Sequence, residues 1–412
     1  MLKKRRVVIT AYGAVAPQAL DAETFWDFVR NGKSAITRIS RFNSESTGTS
    51  IGGEVPPFNT DFLHASGIKA KRVARHTLLL LLATNQIRQE IAKVPKFGIK
   101  LGIATSCFSM IGDSGAARAK SGCDAANIHM IPQAPPHAAA GALAQFLDHP
   151  CEAETISTAC AAGLDALGRA YQDIQAGRHQ CLLAAGTDSA LGMTPLAEFV
   201  KAGMASLRNS IPERASRPFD AFADSGVLSE GAAVLMVEDW EHAIMRGAAP
   251  LCEILGYGMH LDTDSTRPGS GYFSSMKAAI SDSGVSLPEI DYVSAWAPGH
   301  PVLDRIEAEC LREVFGKLCD ELPVTSIKGV IGNPLAAAGP LQVVAAIKGL
   351  QNAIIPPTAN HEIRRTGCHV QVPTTPLKRK HSIVLLNAHG VGGANASLLL
   401  RQPQTSQYSY AN

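Results

Sequence analysis

Three features that would point to a definite class of protein are missing from the 412-residue chain. The nine cysteines include no C-x-x-C pair, so zinc knuckles and dithiol redox motifs are not expected. Lysine and arginine total 38 and aspartate and glutamate 36, and the formal net charge of +2 does not favour a nucleic acid. No segment approaches the roughly 18 apolar residues that would span a bilayer. We therefore expect a cytoplasmic protein with no metal site, no nucleic-acid partner and no membrane span.

Short runs of β-branched and apolar residues alternate with helical stretches along the chain. These runs lie at 7–10, 101–105, 155–157, 181–185, 233–238, 290–294, 322–325 and 383–387. Hydrophobic residues make up 46% of the chain and charged residues 18%, which is typical of a globular protein. The alternation predicts an α/β fold in which helices pack on sheets.

A strand–turn–helix pattern occurs twice. In the first copy, 155–174, a strand leads to a turn at Ala159 and Cys160 and then to a helix rich in small residues. The second copy, 324–350, has its turn at Gly332 and Asn333 and a similar helix. Small residues at a helix start let two helices approach closely, so the pattern predicts duplicated halves whose helices pack against each other.

Cys160 has the setting of a reactive thiol. Apolar residues follow it at helical spacing, namely Leu164, Leu167, Tyr171 and Ile174. Cys160 therefore lies at the N-terminal edge of an amphipathic helix, where the macrodipole and free amides should lower the pKa of the thiol. Its small neighbours leave the sulfur open to a substrate. We predict that Cys160 is the nucleophile and the most reactive of the nine thiols.

The segment STACAAG at 157–163 resembles the nucleophile turn of the β-ketoacyl-acyl-carrier-protein synthases, the condensing enzymes of the thiolase superfamily. Further similar segments run nearly end to end. They are the opening strand 6–17, LLAAGTD at 182–188, RPFD at 217–220, EGA at 230–232, the C-terminal signatures at 304–309, 326–339 and 356–358, and NAHGVGGAN at 387–395.

The resemblance implies a thiolase-like αβαβα five-layer α/β fold of two duplicated halves. The N-terminal half, 1–250, would carry Cys160, and the C-terminal half, 251–412, would carry Trp296, Lys328, Asn333 and His389. An acyl chain would pass from the phosphopantetheine arm of an acyl carrier protein to Cys160, in fatty-acid or polyketide-type biosynthesis. No cofactor is implied. The family forms dimers, so a homodimer or a heterodimer with another ketosynthase is expected.

Two histidines of the family pattern are replaced in this chain. Trp296 stands where the family's HGTGTP-like loop begins with histidine, and Asn333 stands in place of the histidine of the GHxxGAAG pattern. An indole N–H can donate one hydrogen bond but cannot exchange a proton near neutral pH. Asn333, which precedes a proline, is either a catalytic hydrogen-bond donor or a helix N-cap. Malonyl decarboxylation is therefore expected to be impaired.

A third replacement places His389 where the family has the phenylalanine that gates the acyl pocket. His389 is either a base for Cys160 or a histidine tolerated in a polar pocket, and the resemblance assigns its backbone amide to the oxyanion hole. His300 is a weaker candidate base. Lys328 and Glu307 match the family's buried lysine and its acidic partner and are expected to brace the active-site loop.

Two functions remain open at the level of sequence. In the first, the chain is an acyltransferase of this family that loads Cys160 and passes the acyl group on. In the second, it is a catalytically impaired partner, similar to the chain-length factors that pair with an active ketosynthase. Such partners usually lose the cysteine, so the retained Cys160 favours the enzyme.

Overall fold

The fold is described from a computed structural model, which describes residues 4–264 and 266–403. The predicted C-terminal half therefore ends outside the described residues. Within those ranges the strands are β1 Val7–Val15, β2 Thr37–Arg38, β3 Ile51–Gly52, β4 Gly98–Gly102, β5 Ala153–Ile156, β6 Cys181–Ser189, β7 Glu230–Asp239, β8 Cys252–Leu261, β9 Tyr292–Ser294, β10 Val324–Thr325, β11 Ile354–Ile355, β12 Leu377–Lys378, β13 Ile383–Gly390 and β14 Ala394–Arg401.

The α-helices range from one turn to four. They are α1 Ala22–Arg30, α2 Arg75–Asn85, α3 Arg88–Ile91, α4 Phe108–Ser121, α5 Met130–Gln133, α6 Ala138–Leu147, α7 Ala162–Gln175, α8 Met193–Lys201, α9 Trp240–Met245, α10 Tyr272–Ser283, α11 Pro301–Phe315, α12 Lys328–Ile331 and α13 Ala338–Asn352. None of the helices in the described ranges has the length and apolar character that a membrane crossing requires.

Ten strands form one continuous mixed sheet in the order β10-β9-β13-β14-β8-β1-β7-β6-β4-β5. It consists of two five-stranded units joined by an antiparallel contact between β1 and β8. Within each unit, the strands that come first, fifth, fourth, second and third along the chain lie side by side. Their relative directions also match: the first two pairings are antiparallel and the last two are parallel. The shared order is that of duplicated halves, whereas the proposed boundary at residue 250 remains a prediction.

All eight strands predicted from the sequence are present in the large sheet, but the prediction missed its other two strands, β8 and β14, and the two-residue strands β2, β3, β11 and β12. In β8, Gly256 and Gly258 interrupt the apolar pattern. A Cβ atom at either position would lie 2.3 Å from a backbone oxygen of α10, so both glycines permit close packing of that helix on the strand. Strand β14 was not recognised from the sequence, because small and polar residues precede its leucines.

The two helices of the repeated pattern, α7 and α13, pack against each other as predicted. The four apolar residues that mark α7 are almost completely buried. A Cβ atom at Gly163 would lie only 2.0 Å from the carbonyl oxygen of Ala336, and one at Gly339 would lie 2.6 Å from the backbone nitrogen of Leu164. Glycine at both positions therefore lets the helix starts approach to backbone contact.

Gly163→Ala should destabilise the protein by about 1–3 kcal/mol, because the added methyl group forces these helix starts apart. Gly141→Ala in α6 is the matched control, since nothing lies within 4 Å of its added Cβ. The control should stabilise the protein slightly, because alanine favours a helix interior over glycine by about 0.5–1 kcal/mol. Denaturant unfolding measures both changes. Equal effects of the two variants would contradict the close contact.

Candidate active site

Cys160 lies on a strained turn between β5 and α7. The chain passes from β5 into a short 3-10 turn, Ala159–Ala161, before α7 begins. Ala159 has a φ of +49°, in the left-handed region that non-glycine residues rarely adopt. Across from the turn, a Cβ atom at Gly390 would lie 2.2 Å from the carbonyl oxygen of Thr158. The end of β13, from the other half, therefore closes directly on the nucleophile turn.

The sulfur of Cys160 is buried, with only 3% of the residue exposed, and two donors stabilise its charged form. These donors are the side chain of Asn333 and the backbone amide of Val391. Burial raises the pKa of the thiol to about 11, and the Asp188 carboxylate adds to the rise, while the Lys328 ammonium lowers it. The predicted lowering of this pKa is wrong, because the position at the helix start does not offset removal of the thiol from water.

Asp188 is a functional candidate that the sequence analysis did not identify. It lies at the end of β6 and is completely buried. Its carboxylate accepts hydrogen bonds from the amides of Ala104 (2.8 Å) and Thr105 (2.9 Å), the Thr105 hydroxyl (2.6 Å) and the Ala336 amide (3.2 Å). Burial raises its pKa to about 6. In the sequence, Asp188 stands out as the only carboxylate in a strand of otherwise apolar, small and hydroxyl-bearing residues. The resemblance included it only as the last residue of the segment 182–188.

The second copy of the turn lies at Leu335 and Ala336, three residues beyond the predicted position at Gly332 and Asn333, and is built like the first. Leu335, with a φ of +51°, precedes Ala336, just as Ala159 precedes Cys160. A 3-10 turn, Leu335–Ala337, then leads into α13. Ala336 is therefore the structural counterpart of the nucleophile, and its backbone amide is one of the four donors to the Asp188 carboxylate.

Asn333 acts on the nucleophile and does not cap a helix. Its backbone amide donates to the carbonyl of Val227 at 2.7 Å, and its carbonyl accepts from Ser229 at 3.1 Å. The turn that follows has Pro334 as its N-cap and no side-chain capping bond. The capping interpretation is therefore wrong, and the Asn333 side chain instead faces Cys160, where it lowers the pKa of the thiol.

Trp296, which the family resemblance aligns with the first of the two histidines, has a completely buried indole. Its ring packs edge-on against the His389 imidazole, with centroids 5.3 Å apart. The indole Nε1 is buried and has no hydrogen-bond partner among the residues described. The indole thus occupies a large volume beside His389 with its single donor unused.

Lys328 and Glu307 brace the Trp296 loop as predicted. The Glu307 carboxylate accepts from the amides of Trp296 (3.0 Å) and Ala297 (2.8 Å), and Lys328 Nζ donates to the Trp296 carbonyl at 2.7 Å. Asn387 also donates to Glu307, at 3.1 Å. Burial raises the pKa of Glu307 and lowers that of Lys328 to about 8. The two side chains act on the loop separately, since the described salt bridges do not include this pair.

His389 is oriented by a chain of two further polar side chains. Its Nδ1 lies 2.9 Å from Asn395 Oδ1, while Asn395 Nδ2 donates to Asp262 at 2.8 Å. Because the Asn395 amide nitrogen faces a carboxylate, its oxygen faces His389, and Nδ1 of the imidazole must carry the hydrogen. Nε2 is then the atom with a free lone pair. Burial lowers the pKa of His389, so the imidazole is neutral near pH 7.

The backbone amide of Val391 is a hydrogen-bond donor that lowers the pKa of the Cys160 thiol, and the assignment of the His389 amide to the oxyanion hole stays a prediction. One prediction for this region is corrected. His300, a candidate base, is the N-cap of α11: its Nδ1 accepts from the amides of Val302 and Leu303, at 3.3 and 3.4 Å. His300 therefore has a structural role, because these bonds occupy the nitrogen lone pair that a base would use.

Contrary to the expectation from sequence that Cys160 is the most reactive thiol, reaction with iodoacetamide should label Cys123 before Cys160 at pH 7.5, because Cys123 is exposed and Cys160 is buried. The rate at Cys160 should rise about tenfold per pH unit up to pH 10, since a thiol with a pKa of about 11 ionises progressively over that range. Peptide mass spectrometry reports both sites, and Cys123→Ser is the control for reagent depletion. A rate at Cys160 that levels off below pH 9 would contradict the raised pKa.

Comparisons with known proteins show the family to which the chain belongs. The family model "Beta-ketoacyl synthase, N-terminal domain" matches residues 4–243, and "Beta-ketoacyl synthase, C-terminal domain" matches residues 251–362. The chain is 32% identical over 413 residues to 3-oxoacyl-[acyl-carrier-protein] synthase 2 of Coxiella burnetii, covering 97% of this chain and 99% of the relative.

Two solved structures match with a TM-score of 0.88. One is the ishigamide ketosynthase/chain length factor, 26% identical, covering 98% of this chain and 100% of the other. The second, AntDE:AntF, is a type II PKS acyl-carrier protein in complex with its ketosynthase bound to the hexaketide; it is 25% identical and covers 97% and 100% of the two chains. The thiolase-like fold is thereby confirmed. The chain belongs to the β-ketoacyl synthase family of acyl-transferring, condensing enzymes.

Proposed function

We propose that this chain takes an acyl group from an acyl-carrier-protein thioester onto Cys160 and then transfers it in fatty-acid or polyketide-type synthesis. The observation that carries the proposal is that two hydrogen-bond donors, Asn333 and Val391, lower the pKa of the Cys160 thiol. Cys160 also lies on a strained turn, which Gly390 of the C-terminal half contacts closely. A buried cysteine with no chemical role would need neither the strain nor the donors.

Acyl loading is a thioester exchange. The proton of the Cys160 thiol passes to Nε2 of His389, the sulfur attacks the thioester carbonyl carbon, and the carbon–sulfur bond to the carrier breaks. The departing carrier thiolate then takes the proton back from His389. Two features support this role for the histidine: Nδ1 is already committed to Asn395, and the next residues, Gly390 and Val391, contact the nucleophile turn and the sulfur.

A base is needed because the resting thiol is uncharged. A pKa of about 11 leaves about one thiol in ten thousand ionised at pH 7. Once negative charge develops on the sulfur, the Asn333 amide, the Val391 amide and the Lys328 ammonium all stabilise it. The site therefore keeps the thiol neutral until a substrate and a base are both in place.

We infer that the second half-reaction, malonyl decarboxylation, is weak. The departing carboxyl group requires paired donors on the thioester oxygen, and each such donor contributes about a hundred- to a thousandfold in rate. Here the Trp296 indole fills the buried space beside His389, and its N–H is enclosed. Asn333 is already engaged with Cys160. These two substitutions support acyl transfer over ordinary elongation.

The proposed partners are an acyl carrier protein that carries a phosphopantetheine-linked acyl group and a second ketosynthase chain, identical or different. An exposed edge strand, β5, ends the large sheet, and its unpaired backbone groups favour pairing with another chain. Three isoleucines near this edge are exposed: Ile111 on α4, Ile131 in α5 and Ile128 next to α5. Helix α5 packs on α6, which in turn contacts β5. This exposed apolar surface favours dimer formation. We also propose that the protein is located in the cytoplasm.

Incubation with acyl-carrier thioesters should load one acyl group, and Cys160→Ala should abolish loading in intact-mass measurements. His389→Phe should slow loading strongly at pH 7, because little thiolate is present without a base. Its rate should then rise about tenfold per pH unit, whereas the wild-type rate should change far less between pH 7 and 9.

His64→Phe is the matched control, since the His64 side chain is 80% exposed. An acyl load that survives Cys160→Ala would disprove the nucleophile assignment. Parallel pH profiles for the wild type and His389→Phe would instead remove His389 from the mechanism and leave loading intact.

Release of carbon dioxide from malonyl carrier protein should be slow or absent in the wild type even when Cys160 loads readily. The double variant Trp296→His, Asn333→His restores the family's residues and should raise the release by about a hundredfold or more. Radiolabelled carbon dioxide is the readout, and each single variant should give a smaller gain.

Rapid release by the wild-type chain alone would show that Trp296 and Asn333 suffice as donors. A different outcome distinguishes the alternative function: if Cys160 does not load and elongation appears only when an active ketosynthase is added, the chain is a chain-length-factor-type partner.

A further inference from the structure

The hydrogen-bond chain behind His389 ends on a carboxylate, Asp262, which directly follows β8. Asp262 Oδ1 accepts from Asn395 Nδ2 at 2.8 Å and from the Gly271 amide at 2.7 Å. Its Oδ2 accepts from the Gly269 amide at 2.6 Å. All of these donors are neutral, so the described contacts leave the formal negative charge of Asp262 without a cation.

Asn395 is fixed in the orientation that connects the carboxylate to the imidazole. It is completely buried on β14, between His389 of β13 and His260 of β8. Besides Asp262, its Nδ2 donates to the carbonyl oxygens of Gly393 at 3.0 Å and His260 at 3.3 Å. Because carbonyl oxygens cannot donate, a reversed amide would face them with its own oxygen. Oδ1 of Asn395 therefore faces the imidazole even when Asp262 is replaced.

The charge of Asp262 acts on the imidazole of His389. Other titratable groups lie on the elements around this ring, namely Tyr272 on α10, His260 on β8, Cys160 on the facing turn, and Glu307 and Lys328 behind Trp296. Burial lowers the pKa of His389, while the hydrogen bond with Asn395 and the charge of Asp262 raise it. Asp262 therefore favours the protonated ring.

The amide between the two groups transmits orientation and charge but no proton. When the imidazole takes the thiol proton at Nε2, it keeps its other hydrogen on Nδ1 and donates it to Asn395 Oδ1. The side-chain amide does not titrate, so it neither accepts that hydrogen as a proton nor supplies one. The carboxylate therefore acts on the ring by its charge alone, and the proton on Nε2 remains available to the departing carrier thiolate.

We propose that Asp262 is a positioning residue for acyl loading: acting through Asn395, its charge stabilises the imidazolium that His389 becomes when it takes the proton of Cys160. The proposal rests on the proposed function, because it takes His389 as the base. It extends the reacting set from the thiol and the imidazole to a carboxylate one amide away.

Asp262→Asn tests the proposal because it removes the charge and keeps the size of the side chain. Acyl loading at pH 7 should slow about three- to tenfold, since an opposite charge several ångströms away no longer stabilises the imidazolium. The pKa of His389 should fall by about one unit for the same reason. NMR of the full chain with histidine labelled at Cε1 measures this pKa, and His389→Phe identifies the signal.

A double-mutant cycle separates a role in the reaction from a role in folding. In the His389→Phe background, Asp262→Asn should leave the loading rate unchanged, because no imidazolium forms there. Asp264→Asn is the matched control, since it removes an exposed carboxylate two residues further along and should change neither the rate nor the pKa. If Asp262→Asn does not fold, Asp262→Ser provides the same comparison.

Equal slowing by Asp262→Asn with and without His389 would show a structural role and overturn the proposal. An unchanged pKa of His389 in Asp262→Asn would overturn it too, while a slow His389→Phe variant would keep the proposed function intact. Parallel pH profiles of the wild type and His389→Phe would instead remove the base from the proposed function, and the role of Asp262 with it.

Discussion

Where α7 and α13 begin, the carbonyl oxygen of Ala336 occupies the space that a side chain at Gly163 would need. This backbone contact between the two halves sets the distance between their turns, and the other features of the site depend on that distance. It places Asn333, from the C-terminal half, against the thiol of Cys160 from the N-terminal half. Asp188 spans the same junction by accepting hydrogen bonds from Thr105 on one side and Ala336 on the other.

Burial dominates the electrostatics of the site. Four ionisable groups, Cys160, Asp188, Glu307 and Lys328, all have their pKa values displaced toward the uncharged form, and in each case desolvation is the largest cause. Hydrogen bonds from fixed backbone amides offset part of that displacement for the two carboxylates. The Cys160 thiol therefore stays protonated near neutral pH, which suits a thiol that must avoid reaction with other electrophiles.

Much of the fold was predictable because local patterns and the repeated strand–turn–helix unit agreed. The strands β8 and β14 were not, since Gly256 and Gly258 serve the packing of a helix that lies apart in the sequence. Cys160, Trp296 and Asn333 were singled out by the resemblance to the family's motifs. The raised pKa of Cys160, the role of Asp188 and the capping by His300 were not predictable, because burial and hydrogen-bond partners arise only when the halves come together.

The two turns share a backbone but have different tasks. Ala159 and Leu335 adopt the same left-handed conformation, yet one turn presents a thiol and the other presents only a methyl group and an amide. The turn without a nucleophile has a supporting role. Its Ala336 amide donates a hydrogen bond to Asp188, and the nearby Asn333 side chain lowers the pKa of the Cys160 thiol in the other half. The two halves therefore keep the same backbone at their turns, but only the N-terminal half presents a thiol, and the C-terminal half supplies groups that act on it.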